Sequence, residues 1–214
     1  MLDDLFSQYE LETRKADHLF KAIQEKYPLS VQCRIHCCDC CHAVFGVFPI
    51  EAAHINYHFH HLERKIRRDI LRRAEKAEDE VLRTKDRLKV FDDKPEMKVY
   101  GLGKQRIQCP LLTEREECVL YEKRPIICRI YGVPFSLKNG NKEQAYACAV
   151  SGFQTKVTYP TVKLYKIYHE LCKLSEELLK RAQSAHLEKA TLMLPLSRVI
   201  RMPLEVIVKG EFEE

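Results

Sequence analysis

Tryptophan is absent and glycine is scarce, with seven in 214 residues. Scarce glycine goes with missing phosphate cradles. There is no GxxxxGK[ST] loop, no GxGxxG after a strand and no GxSxG nucleophile elbow. The common nucleotide-driven enzymes and serine hydrolases are thereby set aside. Long apolar runs are missing too, and none approaches the ~18 residues of a membrane span. The opening stretch MLDDLFSQYELETRKADHLF has neither the basic start nor the apolar core of a secretory signal. No membrane association is expected, and the expected compartment is the cytoplasm, where thiols stay reduced. Charge of one sign is also lacking. With 36 basic and 31 acidic residues, the net charge of +5 permits an acidic partner without demanding one.

Against these absences stand ten cysteines. In a reducing compartment, clustered cysteines point to metal ligands or catalytic groups rather than to disulfides. Five of them, with two histidines, fall within VQCRIHCCDCCHAVFG, residues 31–46. Packing does not ask for that, because a buried thiol acts as a small hydrophobe and one would do.

The rest of the chain reads as helix. Leu2, Leu5, Phe6 and Tyr9, then Leu19, Phe20, Ile23 and Tyr27, recur at three- and four-residue steps and predict a helix over 2–27, ended by Pro28. A second helix is predicted over 49–90, with Pro49 in its first turn. Its charged second half carries a thin stripe of Ile66, Ile70, Leu71, Val81 and Leu82. DDKPEM, residues 92–97, reads as a break. A third helix fits 159–187, with Leu164, Ile167, Tyr168, Leu171, Leu174, Leu178 and Leu179 inward. Between the last two lie short elements, including Asn139-Gly140, a favoured hairpin turn. Residues 1–214 thus predict one mainly α domain. Its cysteine-rich loops, within 30–152, gather at one end beside a short β-hairpin.

Setting Cys38 and Cys172 aside, eight cysteines form two groups: Cys33-x3-Cys37-x2-Cys40-Cys41 and Cys109-x8-Cys118-x9-Cys128-x19-Cys148. The arithmetic is that of two four-thiolate sites, or of one site with spare thiols. Zinc takes four tetrahedral thiolate or imidazole ligands, and a [4Fe–4S] cluster takes four thiolates. Thiolate softness does not separate zinc from iron–sulfur. Eight thiolates exceed one zinc site, which inclines the reading to iron–sulfur.

CRIHCCDCC, followed by CPLLTEREECVLYEKRPIICRIYGVPF, resembles the YkgJ-type CxxCxxCC cysteine-cluster family, described as zinc- or iron-chelating. The likeness runs from Cys33 to Cys148, a little over half the chain. Its most specific part is Cys-x-Leu-Tyr-Glu-x-Arg-Pro-x-x-Cys-Arg. The resemblance implies that Cys33, Cys37, Cys40, Cys41, Cys109, Cys118, Cys128 and Cys148 are the chelating positions. The first spacing is three residues where the family usually has two, Cys38 occupies a place often held by a small residue, and His42 follows the Cys40-Cys41 pair. Cys33, Cys38 and His36 therefore remain alternative partners for Cys37, Cys40 and Cys41. Flagellin lysine methylases resemble the same domain within a longer enzyme. No S-adenosylmethionine fingerprint is seen, so that activity is not carried over.

Arg124 and Arg129 flank Cys128 and are candidates to stand behind the ligands, pairing with metal-bound thiolates or with a carboxylate such as Glu122. Cys128 lies about one turn past Pro125, where free N–H groups favour a thiolate. His54, His58 and His61 share one helical face, at a spacing that suits a metal, but with no carboxylate fixed by spacing the face reads as solvated or partly packed. The helix over 63–89 alternates acids with its bases and offers no aromatic stacking groups, which argues against nucleic acid. Cys172, between Leu171 and Leu174, fits a core thiol.

The function expected is metal binding through an iron–sulfur cluster or zinc, with a structural, metal-handling or sensing role. The alternative is a metal- or cluster-dependent enzyme, protein-modifying or redox. A thiol-redox role for Cys37-x2-Cys40 lacks the expected βαβ context. A protein partner is left open.

Overall fold

The computed structural model describes residues 2–34, 36–91, 101, 104–140, 142–154 and 156–213. It is mainly α with a short β element, as the sequence predicts. The break expected at 92–97 lies outside the described residues.

Helix α1 spans Leu2–Lys26 and buries Leu5, Phe6, Tyr9, Thr13, Ala16 and Ile23, one stripe of a 3.6-residue repeat. Pro28 ends it, because the residue before a proline is pushed out of the helical region. Helix α2, Pro49–His60, is buried nearly all round through Ile50, Glu51, Ala52, Ala53, His54, Ile55, Asn56 and Phe59. It is the hub of the fold, packing against α1 and against the later helices.

The single helix predicted over 49–90 is two. The chain breaks at 61–63, and α3 runs over Arg64–Leu88. After the turn, the thin stripe of α3 packs against the C-terminal helix Leu196–Arg201. That stripe is Ile70, Ala74, Ala77, Glu78, Val81, Thr84 and Leu88, while Leu71 and Leu82 are exposed.

Helix α4 is short, Ile126–Ile130. Strands β2 (Phe135–Asn139) and β3 (Lys142–Tyr146) form the expected hairpin, with Asn139 opposite Lys142. Gly140 follows Asn139 at φ +58°, where glycine is favoured. The third long helix, α5, starts at Leu164 rather than 159, because Val162–Lys163 first pairs as β4 alongside β2. It ends at Arg181, and Gln183 then turns into the left-handed region at φ +54°.

The tail holds two helices that periodicity did not reveal: α6, Leu196–Arg201, and α7, Leu204–Val208. Each is too short to register as a repeat. Short strands β1 (Gly46–Val47) and β5 (Leu194–Pro195) tie the tail to the start of α2. Buried Asn56 on α2 donates to the carbonyls of Val199 and Met202, at 2.8 and 2.9 Å. Ser175 on α5 accepts the Ile50 N–H at 3.2 Å. No helix among the described residues is long and apolar enough to cross a membrane.

Candidate metal centre

The first cysteine loop leaves α1 and reverses at His36, whose φ is +66°. A 3-10 turn, Asp39–His42, then carries Cys40 and Cys41, and both thiols face the same cavity. Backbone pairing fastens this turn to the second cysteine segment. Cys109 N–H donates to Cys41 O at 2.7 Å, and Ile107 N–H donates to His42 O at 3.0 Å. Leu112 and Cys118 form an antiparallel bridge, so Cys109 and Cys118 flank a small loop. Tyr121–Lys123 makes another 3-10 turn, Pro125 caps α4, and α4 carries Cys128. Cys148 follows β3, and its carbonyl accepts from the N–H and hydroxyl of Ser151.

All eight motif cysteines, and neither Cys38 nor Cys172, line one cavity of about 640 Å³. Arg124, Arg129, Tyr121, Tyr131, Asp39 and His36 line it as well. Cys172 packs against the hydrophobic core. His36 Nδ1 meets Arg115 O at 3.1 Å, and His42 Nδ1 meets Cys38 O at 3.1 Å.

The thiols do not group by sequence order. Cys40 accepts hydrogen bonds from the Cys128 and Cys41 thiols, which hold its pKa low and push both donors up. Cys109 and Cys118 act electrostatically on Cys41 and Cys128. At the other end, Cys33 interacts with Cys37 and Cys148, and the Cys148 thiol donates to Asp39 Oδ2 at 3.2 Å. Cys40 also acts electrostatically on Cys33, and Asp39 on Cys40, so the thiols of the two sequence groups intermingle.

Burial pushes Cys33 and Cys109 up to about 12, and Cys118 and Cys148 up to about 11. Neighbouring thiolates add to each shift. Thiols crowded this way ionise together only with a cation among them, so the donor set fits a metal centre whose loading releases protons.

The two arginines behave differently. Arg129 is 7% exposed and donates to Asp17 Oδ2 at 2.6 Å, to Glu122 O at 2.6 Å and to Arg124 O at 3.0 Å. Those partners are a carboxylate and two carbonyls, so Arg129 staples α4 to α1. Arg124 lies 4.0 Å over the Tyr121 ring, and its charge lowers the pKa of Cys40 and Cys118.

Sequence reasoning passed over three acids. Asp39 sits inside the cysteine motif, where its position was a readable signal. Asp17 pairs with Arg129 across 112 residues, with no local sign. Glu51 is 2% exposed; its Oε1 accepts the Ile126 N–H of α4 at 3.0 Å and its Oε2 accepts the Phe48 N–H at 3.2 Å. Only its place in the first turn of α2 marked it. The clustered histidines divide as well: His61 is exposed and bonded to Tyr57 O at 2.7 Å, while His54 and His58 turn toward Glu10 on α1.

Fold and cavity together define a mainly α protein with an eight-thiol chamber at one end. Family models, curated proteins and solved structures were compared with the chain, and none matches. The likeness to the CxxCxxCC family therefore rests on the residues quoted above.

Proposed function

We propose that this chain is a metal-binding protein that holds an iron–sulfur centre through Cys33, Cys37, Cys40, Cys41, Cys109, Cys118, Cys128 and Cys148. The supporting observation is the convergence of these eight thiols, from four separate segments, on one cavity. Eight thiolates exceed the four that one tetrahedral zinc site takes, which favours a cluster over a single mononuclear zinc. When bound, such a cluster supplies one-electron transfer, or Lewis acidity at an iron with an open position. Arg124 contributes a fixed cation beside Cys40 and Cys118, and Arg129 keeps α4, and so Cys128, in place. The role is structural, metal-handling or sensing, in a reducing cytoplasmic setting.

Purification without oxygen, followed by iron, sulfide and zinc analysis and an absorption spectrum, tests this reading. A brown protein with matched iron and sulfide supports it. A colourless protein with stoichiometric zinc defeats the iron–sulfur form, and a folded, metal-free protein defeats metal binding altogether.

One observation favours a second reading, that of a cluster-dependent enzyme. The cavity falls in the range of small-molecule pockets, about 300–1,000 Å³, and Tyr121, Arg124 and Tyr131 give it polar walls. Adding cyanide to the reduced protein and recording its electron paramagnetic resonance tests for an open iron position. An unchanged signal would count against the enzyme.

A further inference from the structure

We infer that Glu10, His54 and His58 form a second metal site, separate from the thiols, that takes a divalent transition metal of the zinc kind. The three ligand atoms lie within 4.8 Å of one another, one from α1 and two from adjacent turns of α2. His54 and His58 stand four residues apart on one helical face, with ring centroids 4.5 Å apart. Two imidazoles and one carboxylate are the ligand set of open zinc sites, which leave a fourth position to solvent. Imidazole nitrogens suit Zn²⁺, Co²⁺ and Ni²⁺, whereas all-oxygen sites suit Mg²⁺, Ca²⁺ and Mn²⁺, so this donor set points to Zn²⁺, Co²⁺ or Ni²⁺.

The protonation states suit a ligand role. His54 is 1% exposed and packed edge-on by Phe6 and Tyr9. Burial holds it neutral, with its pKa lowered to about 4. Burial lowers His58 as well, and Glu10 stays ionised. His54 Nε2 lies 3.2 Å from Glu10 Oε1. The ring's Nδ1 is buried with no hydrogen-bond partner, so it makes no bond that fixes the tautomer, and Nε2, the nitrogen beside Glu10, presents a lone pair to a metal when the ring proton sits on Nδ1.

The position facing these groups is already held by a positive charge. Lys123 Nζ lies 2.7 Å from Glu10 Oε1. Its side chain is 34% exposed, so it can swing into water and yield the carboxylate to a metal. His54 forms the buried floor, while Glu10 and half-buried His58 lie on the solvent side and give an entry path. The bland alternative is an ion-pair network of Glu10, Lys123 and His54 with no affinity for metal, and Lys123 is the residue that separates the two.

The test is Co²⁺ titration of the full chain with its thiol centre loaded, followed by absorption. A His₂Glu site gives weak visible d–d bands without the near-ultraviolet charge transfer of thiolate–cobalt. The expected result is one such Co²⁺ per chain. Lys123→Ala tightens it about tenfold by removing the competing ammonium, and His58→Ala weakens it about tenfold or more. His58 is only half-buried, so His58→Ala keeps its circular dichroism and its thiol-bound metal. Cobalt that fails to bind even in Lys123→Ala, that binds His58→Ala as tightly as the parent, or that shows thiolate charge transfer would overturn the inference. Loss of the thiol-bound metal is read separately by metal analysis, so this result is independent of the iron–sulfur proposal.

Discussion

Replacing Glu51 by glutamine should change how the stability of the protein depends on pH. Glu51 is buried where α2 meets α4. It accepts N–H groups from Phe48 and Ile126, while the Tyr9 hydroxyl lies 3.4 Å away. Those donors favour the ionised form, but burial outweighs them and raises the carboxyl from 4.5 to about 7. The folded chain therefore binds the Glu51 proton more tightly than the unfolded chain does. The stability this contributes is fully present below about pH 4.5 and is lost as pH rises through about 7. The whole displacement corresponds to about 3 kcal/mol, most of it lost between about pH 5 and pH 8. Glutamine has the same shape and does not titrate. At the acid end it costs about 1–3 kcal/mol, because its NH₂ group faces a backbone donor that the carboxyl satisfied.

The parent should thus exceed Glu51→Gln in stability by about 1–3 kcal/mol near pH 5. By about pH 8 the gap should close or reverse, having shrunk by about 2–3 kcal/mol. Urea unfolding followed by circular dichroism at both pH values measures it, since a shift in midpoint at constant slope reports stability alone. Other groups titrate over this range, the thiols included, but they are common to both proteins and cancel in the difference. A gap that stays constant, or widens as pH rises, would refute the reasoning.

Gly132→Ala should empty or weaken the thiol centre, because a Cβ there would lie 2.0 Å from Cys33 Sγ and drive that thiol aside; metal analysis should show the loss, and an unchanged content would remove Cys33 from the ligand set. Arg129→Lys should cost about 2–4 kcal/mol in denaturant unfolding, since an ammonium cannot reproduce the fork that serves Asp17 and two carbonyls. Cys38→Ser and Cys172→Ala, at the two cysteines outside the cavity, should retain the full metal complement; depletion in either would break the eight-ligand assignment.

The long helices and the cysteines that line the cavity were legible because each leaves a local mark. Leu5, Tyr9 and Ala16 repeat at helical steps, and thiols are rare enough that eight in two groups stand out. The break after His60 left no mark, because neither proline nor glycine causes it; after the turn, the stripe on α3 packs against α6. The meeting of the two cysteine segments was hidden for a similar reason. Cys41 reaches Cys109 through a backbone hydrogen bond across 68 residues, which no spacing rule within either motif encodes. Glu10 finds His54 and Lys123 on distant elements, so the histidine face read as solvated until α1 was laid against it.

The least legible feature also governs the site most. Helix α4 has five residues, far below the length at which a helix persists alone in water. Its place depends on what surrounds it. Glu51 holds its first N–H, Arg129 fastens it to α1 through Asp17, and Gly132 just beyond it leaves room for Cys33. Ile126 and Ile130 anchor it in the core, fully buried. Cys128 is carried by this element and Cys33 leans on its end, so both ends of the thiol chamber take their positions from it. A ligand set is only as well defined as the backbone beneath it, and a misplacement of about 1 Å is enough to lose function at a preorganised site. It follows that changes at Glu51 or Arg129, neither of which is a proposed ligand, should loosen the thiol chamber from a distance, and that the eight cysteines alone, grafted without α1 and α2, would not assemble it.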